Sequence, residues 1–136
     1  MTNPELYQLA LKARENSYAP YSGFKVGAAL LCDSGKVFIG CNIENAAYSP
    51  GICAERVAFA SAISAGERKF LSIAVASGGN GQCMPCGVCR QTFREFCDPV
   101  SFFVVALASG DPERYTQYTL EELLPYSFGN ESLQEG

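Results

Sequence analysis

Two short cysteine motifs, far apart along the chain, place the strongest constraint on the fold. The first is Cys53-Ala54-Glu55, the second is Pro85-Cys86-Gly87-Val88-Cys89, and the chain has no histidine. Three thiolates can hold a zinc ion and leave its fourth position for water, whose pKa the metal lowers toward ~7. The fold must therefore bring two distant segments together around one metal, with Glu55 placed to move protons.

Length and composition favour one compact domain over residues 1–136. A chain of 136 residues with 48% apolar and 18% charged residues can bury a hydrophobic core. No apolar run approaches the roughly 20 residues of a membrane span, so no membrane partner is expected. The first five residues lack the basic-then-apolar pattern of a signal peptide, and we expect a cytoplasmic protein whose cysteines bind metal rather than form disulfides.

The charge of the chain argues against nucleic acid as a partner. The formal net charge is -4, whereas proteins that bind nucleic acid use clustered lysine and arginine to neutralise phosphates. A small-molecule substrate is the expected partner instead.

Hydrophobic periodicity and turn signals predict alternating helices and strands. The first helix begins with Asn3 as its cap and Pro4 at its first position, and it runs to about residue 17. A hairpin of strands 25–32 and 36–42 follows, then a helix over 53–65, a strand over 70–76, a Gly-rich loop over 77–81, a helix over 86–97, strands over 102–107 and 115–119, and a last helix capped by Thr119 with Glu122. This order predicts an α/β domain with helices on both faces of a mixed sheet.

Both cysteine motifs are predicted to open helices. A helix N-terminus has free N–H groups and a partial positive charge, which stabilise thiolates. Cys86 and Cys89 are three residues apart and lie on one helical face, while Cys53 must come from another element. Three thiolates and one zinc ion sum to a negative charge, and we expect Arg56 to offset it by donating hydrogen bonds to the sulfurs.

The other cysteines leave one alternative open. Cys83, Cys86 and Cys89 recur every three residues, and with Cys53 they could form a closed four-thiolate site. Such a site is typical of a structural zinc protein without catalysis. Otherwise Cys83, like Cys32, Cys41 and Cys97, is expected to be a small buried apolar residue.

The motifs resemble those of the zinc-dependent cytidine deaminases, in their short, all-cysteine, homotetrameric form. The signature of this superfamily is His/Cys-x-Glu followed by Pro-Cys-x-x-Cys. The likeness spans nearly the whole chain, and its other stretches are Tyr18-Ala19-Pro20-Tyr21-Ser22, Phe24-Lys25-Val26-Gly27-Ala28-Ala29, Gly40-Cys41-Asn42-Ile43-Glu44-Asn45-Ala46-Ala47-Tyr48-Ser49, Arg90-Gln91 and Glu121-Glu122-Leu123-Leu124-Pro125.

The resemblance implies a fold, a cofactor and a reaction. The fold is a three-layer α/β/α sandwich around a mixed, roughly five-stranded sheet, and each subunit holds one Zn²⁺. The reaction is hydrolytic deamination of cytidine and 2′-deoxycytidine to uridine and 2′-deoxyuridine, in pyrimidine salvage. Zinc-bound hydroxide attacks C4 of the base while Glu55 carries the protons.

The resemblance also implies a substrate site. Asn42 and Glu44 are two residues apart at a strand end, and so share a face on which an amide and a carboxylate can bind a sugar hydroxyl. In the family, the matching residues bind ribose. The resemblance further implies that the Phe24 ring stacks on the base, while the Ala54 backbone and the Met84 carbonyl contact the base. Gln91 is implied in a supporting hydrogen bond. Neighbouring subunits are implied to contribute Ala46, Tyr48 and Phe128 to each pocket.

A second enzyme class shares the same metal chemistry. Deaminases of modified cytosine nucleosides, such as blasticidin S, use the Cys-Ala-Glu and Pro-Cys-x-x-Cys motifs on a similar fold. The stretch from Asn42 to Ala46 favours ordinary cytidine and 2′-deoxycytidine.

Overall fold

The computed structural model describes residues 1–77, 83–107 and 115–134. Its strands are β1 (Val26–Cys32), β2 (Val37–Cys41), β3 (Phe70–Ser77), β4 (Phe103–Leu107) and β5 (Tyr115–Thr119), and its helices are α1 (Asn3–Ala13), α2 (Ala54–Ser64), α3 (Gly87–Phe96), α4 (Leu120–Leu123) and α5 (Asn130–Gln134). Within those described ranges, none of the helices has the length and apolar character needed to cross a bilayer.

The five strands form one mixed sheet in the order β2-β1-β3-β4-β5. The hairpin of β1 and β2 is antiparallel, as are the pairs β1 with β3 and β4 with β5. Strands β3 and β4 are parallel, with Ile73 opposite Val104. Parallel neighbours need a crossover connection, and α3 lies in it. The predicted hairpin and mixed sheet are confirmed.

Helices cover both faces of the sheet, which confirms the three-layer prediction. Successive residues of a strand point to opposite faces, so Leu30 and Ala29 of β1 belong to different cores. On one face α1 packs through Leu6, Tyr7 and Ala10 against Ala29, Ala74 and Val105. On the other face α2 and α3 pack through Ala58, Phe59 and Phe93 against Leu30, Ile73 and Val104.

The start of α1 differs from the prediction. Thr2, not Asn3, is the cap: its hydroxyl accepts a hydrogen bond from the Glu5 N–H, and the Glu5 carboxylate accepts one from the Thr2 N–H. This reciprocal pair satisfies two N–H groups at the helix end, which Asn3 as cap would not do. The helix ends at Ala13 and continues as a 3₁₀ turn over Arg14–Asn16.

The C-terminal region also differs in one respect. Thr119 and Glu122 form the predicted capping box at the start of α4, but α4 is not the last helix, because α5 follows it. Of the predicted Gly-rich loop over 77–81, Ser77 belongs to β3, and 78–81 lie outside the described residues.

A close approach between β2 and α2 depends on Gly40. A methyl group at this position would overlap the backbone of Ala54 and the backbone nitrogen of Ala58, in the first turns of α2. The missing side chain lets the start of α2 lie directly on the strand. The positions of Cys53 and Glu55 are therefore set by contact with the sheet.

Candidate functional site

Three sulfur atoms meet where two helices begin. Cys53 is the cap residue of α2, Cys86 is the cap residue of α3, and Cys89 lies in the first turn of α3. Their Sγ atoms all lie within 4.8 Å of one another, with 3.8 Å between Cys53 and Cys86 and 3.6 Å between Cys86 and Cys89. Tetrahedral zinc with Zn–S bonds of about 2.3 Å requires sulfurs roughly 3.8 Å apart. The donor set and its spacing therefore fit zinc.

The four-cysteine alternative is not formed. Across residues 1–77, 83–107 and 115–134, the metal-ligating group contains Cys53, Cys86 and Cys89 but not Cys83. Cys83 packs against the core, and burial raises the pKa of its thiol to about 11, with the charge of Glu55 adding to the effect. Cys83 is thus a protonated thiol outside the cluster, and a zinc ion held by the other three sulfurs would keep its fourth position for water.

Arg56 lies against the sulfurs. Its Nη2 donates to Cys53 Sγ at 3.9 Å, and its Nε is buried without a hydrogen-bond partner among the described residues. The pKa of the Cys53 thiol is lowered, chiefly because Cys89 donates a hydrogen bond to its sulfur and then because Arg56 does so. The guanidinium thus places positive charge beside a cluster whose ligands must be thiolates.

Glu55 follows the first ligand by two positions and is buried at the same helix start. Only 4% of its surface is exposed. Burial raises the pKa of its carboxyl to about 7, and the negative charge of Cys53 adds to this effect. A carboxyl group whose pKa lies near neutrality can both accept and donate protons.

Asn42 and Glu44 hold the segment that carries Phe24. Asn42 Oδ1 accepts from the Val26 N–H at 2.9 Å, and Asn42 Nδ2 donates to the Phe24 carbonyl at 2.8 Å. The Glu44 carboxylate accepts from the N–H groups of Tyr21 and Ser22 at 3.0 and 3.1 Å. Phe24 itself is half exposed. The two predicted sugar-binding residues and the predicted base-stacking residue thus form one connected unit.

Sequence reasoning missed Ser22, which completes this unit. Its hydroxyl donates to the Glu44 carboxylate and accepts from the Phe24 N–H at 3.0 Å. The only sequence signal is the general tendency of serine to bond the N–H two residues ahead. That tendency predicts a turn and says nothing of Glu44.

Sequence reasoning also gave no role to Arg90, just after the second motif. Its Nε donates to the Pro85 carbonyl and its Nη1 to the Leu123 carbonyl, both at 2.7 Å. These bonds tie the chain entering α3 to the end of α4. Because Leu123 is distant along the chain, no local pattern points to this contact.

A cleft of about 420 Å³ lies next to the metal cluster, lined by residues that include Tyr21, Asn42, Glu44, Tyr48, Ile52 and Cys53. Ala54, the residue after Cys53, is fully buried, and Met84 is partly buried. Ala46 and Tyr48 are exposed on the loop after Glu44, whereas Phe128 is exposed on a C-terminal segment. The side-chain amide of Gln91 donates to the Phe128 carbonyl at 2.9 Å.

Comparison with known proteins agrees with this geometry. Residues 1–105 match the family model of the cytidine and deoxycytidylate deaminase zinc-binding region. The chain is 48% identical over 122 residues to a cytidine deaminase of Sporosarcina psychrophila, covering 90% of this chain and 88% of the relative. It is 41% identical over 135 residues to a cytidine deaminase of Halalkalibacterium halodurans, covering 99% of this chain and 100% of the relative.

A solved structure also matches this chain in its fold. The crystal structure of a cytidine deaminase from Burkholderia pseudomallei superposes with a TM-score of 0.86 at 45% identity, over 94% of this chain and 100% of that one. The three-sulfur site, the family model and these relatives together show that the chain belongs to the zinc-dependent cytidine deaminase family.

Proposed function

We propose that this enzyme hydrolyses cytidine and 2′-deoxycytidine to uridine and 2′-deoxyuridine with release of ammonia, as a cytoplasmic step of pyrimidine salvage. The observation that carries the proposal is the open three-sulfur cluster of Cys53, Cys86 and Cys89 beside the buried carboxyl of Glu55. A closed structural site would leave that carboxyl without a purpose.

The three cysteines would hold zinc, and the chain would supply proton transfer. Bound zinc supplies Lewis acidity and acidifies water toward neutral pH. The Glu55 carboxylate takes one proton of the attacking water and delivers it to N3 of the base. It then takes the second proton of that water from the new C4 hydroxyl and delivers it to the departing amino group, so that water and cytidine become uridine and ammonia. Burial keeps these protons from exchanging with bulk solvent during the reaction.

The connected unit around Phe24 is proposed to bind the nucleoside. The Phe24 ring stacks on the pyrimidine, and the Ala54 backbone and Met84 carbonyl contact its polar edge. Asn42 retains a second amide N–H and Glu44 a further acceptor site for the sugar hydroxyls. Such contacts favour nucleosides over free cytosine.

The active assembly is proposed to be a homotetramer in which neighbouring copies lend Ala46, Tyr48 and Phe128 to each pocket. Tyr48 is 84% exposed and Phe128 is 59% exposed in the single chain. Both side chains are thus accessible to a neighbouring copy, and their burial there would favour association. The net charge of -4 fits a partner other than nucleic acid.

The decisive variant is Glu55→Gln, which keeps the shape of the side chain and removes its proton transfer. We expect it to retain one zinc per chain and to lose about 100- to 10,000-fold in ammonia release from cytidine. Glu121→Gln, on the exposed start of α4, is the matched control and should behave as the parent enzyme.

The substrates tested would be cytidine, 2′-deoxycytidine, cytosine and blasticidin S. A Glu55→Gln variant with near-parental turnover would refute the proton-transfer role. Ammonia release from cytosine or blasticidin S, but from neither nucleoside, would refute the proposed substrate.

A further inference from the structure

Arg94 of α3 forms three hydrogen bonds to the C-terminal segment, residues 127–131. Its Nε donates to Ser127 Oγ at 2.7 Å, and its two Nη atoms donate to the two carboxylate oxygens of Glu131. The Arg94 side chain is 11% exposed. A guanidinium group that binds one carboxylate through two N–H groups and a hydroxyl through a third has a fixed orientation.

Gly129 lets the guanidinium lie directly on the backbone of that segment. A methyl group at this position would overlap the Cζ and both Nη atoms of Arg94. The end of an arginine side chain can normally move aside at little cost. Here it is held by Ser127 and Glu131, so moving it would break those hydrogen bonds.

Two more contacts fix the same segment to α3. The Gln91 side chain donates to the Phe128 carbonyl at 2.9 Å, and the Asn130 side chain donates to the Glu95 carbonyl at 3.2 Å. Phe128 therefore has anchored neighbours on both sides and an anchored carbonyl, while 59% of its own surface is exposed. The segment presents an aromatic ring outward from a fixed backbone.

We infer that Arg94 is a positioning residue that orients Phe128 for insertion into the pocket of a neighbouring copy of this chain. This inference rests on the proposed function, in which Phe128 completes that pocket. Helix α3 also carries Cys89. The same helix would therefore support the metal site of its own subunit and would hold Phe128 in place for the pocket of the neighbouring subunit. Arg94 acts through Phe128 and has no role in the chemical step.

A purely structural ion pair would behave differently from a positioning residue. Loss of a stabilising contact would lower the unfolding temperature and reduce the fraction of active enzyme, without changing substrate affinity in a neighbouring pocket. Loss of positioning would raise KM and leave kcat and zinc content nearly unchanged, because the metal site and Glu55 are untouched.

The test uses Arg94→Met, which keeps an apolar stem and removes the three donors. We expect KM for cytidine to rise about three- to tenfold, the value of one aromatic contact, while kcat changes less than about twofold. Arg68→Met is the matched control, because within residues 1–77, 83–107 and 115–134 Arg68 donates only to the nearby carbonyls of Ile63 and Glu67. It should leave KM unchanged.

Mixed assemblies provide the specific readout. Arg94→Met subunits are unfolded and refolded together with an excess of Glu55→Gln subunits, whose Arg94 is intact but whose own sites are inactive. In the mixed assemblies the active pockets belong to Arg94→Met subunits, and the Phe128 that enters them comes from Glu55→Gln subunits, in which Arg94 holds it in place. The KM for cytidine should therefore fall back to the value of the parent enzyme. A KM that stays high in mixed assemblies verified by native mass spectrometry would overturn the inference, as would a parental KM in Arg94→Met alone or the absence of mixed assemblies.

A second variant covers the case in which Arg94→Met fails to fold. Gly129→Ala leaves the sequence of α3 unchanged and displaces the guanidinium, and it should raise KM in the same way; a parental KM would count against the inference. The parent enzyme is assayed alongside. Absence of cytidine turnover by the parent would refute the proposed function, whereas parental turnover with unchanged KM in the variants would refute only the role of Arg94.

Discussion

At the scale of single residues, the site depends on side chains that hold other side chains. Glu55 and the three cysteines belong to recognisable sequence motifs, and their residue types indicate proton transfer and metal binding. Asn42 and Glu44 are polar residues at a strand end, yet their hydrogen bonds run to the backbone around Phe24. Ser22 joins Glu44 to Phe24, so this serine should affect substrate binding without contacting the metal.

Ser22→Ala tests this connection. The change removes a donor to Glu44 and an acceptor for the Phe24 N–H, so we expect KM for cytidine to rise about five- to tenfold, the effect of roughly one hydrogen bond, with little change in kcat. The measurement is steady-state kinetics at saturating zinc.

Ser34→Ala is a closely matched control for that substitution. Ser34 also donates to a glutamate, Glu67, and accepts from the N–H two residues ahead, at Lys36, but it lies at the opposite end of β1. Equal kinetics in the Ser22 and Ser34 variants would show that Ser22 has no special role in binding.

At the scale of elements, the site is made by two helix starts resting on one sheet. Cys53 and Cys86 are both cap residues, so each cysteine lies where its helix has free N–H groups. The start of α2 is set by its contact with Gly40, and the start of α3 by the hydrogen bonds of Arg90. Moving either helix by the width of a methyl group would spread the sulfurs.

Gly40→Ala tests the contact between β2 and α2. The added methyl forces α2 away from the strand, so we expect a loss of about 1–3 kcal/mol in unfolding free energy. We also expect zinc to dissociate faster in the presence of a chelator, because Cys53 moves with the helix. Urea unfolding and zinc release are the measurements.

Gly87→Ala is the control for the Gly40 variant. Gly87 is the first residue of α3, and a methyl there meets nothing within 4 Å. Its stability should be unchanged or higher by up to about 1 kcal/mol, since alanine favours helix. Parental stability and zinc retention in Gly40→Ala would contradict the proposed close contact.

At the scale of the whole molecule, stability comes from two cores on the two faces of the sheet. The face opposite the metal site is covered by α1, whose Tyr7 is 3% exposed and lies with its ring centroid 4.8 Å from that of Tyr115. Burial, and next the charge of Tyr115, raise the pKa of Tyr7 from 10.0 to about 12. The folded state thus favours the neutral phenol.

Tyr7→Phe should therefore resist alkaline unfolding. A folded-state pKa above the unfolded value means that this contribution to stability is complete below pH 10 and is lost as the pH rises through about 12. Removing the ionisable group should move the onset of alkaline unfolding, followed by circular dichroism, to higher pH. Tyr126→Phe, at a fully exposed position, should not change it, and identical transitions for the two variants would contradict the assignment.

The sequence by itself determined the chemistry of the site and the order of the elements. Cysteine and glutamate types at short spacings define a metal ligand set, and periodicity defines helices and strands, because both depend on near neighbours in the chain. Only the tertiary structure decided that Cys83 stays out of the cluster, that Ser22 joins Glu44 to Phe24, and that Arg94 lies on Gly129. Ser22 and Glu44, like Arg94 and Gly129, are far apart along the chain, so no local pattern predicts their contact. The three-residue recurrence of Cys83 with Cys86 and Cys89 does not fix whether its sulfur reaches the cluster, because that distance depends on how the helices pack on the sheet.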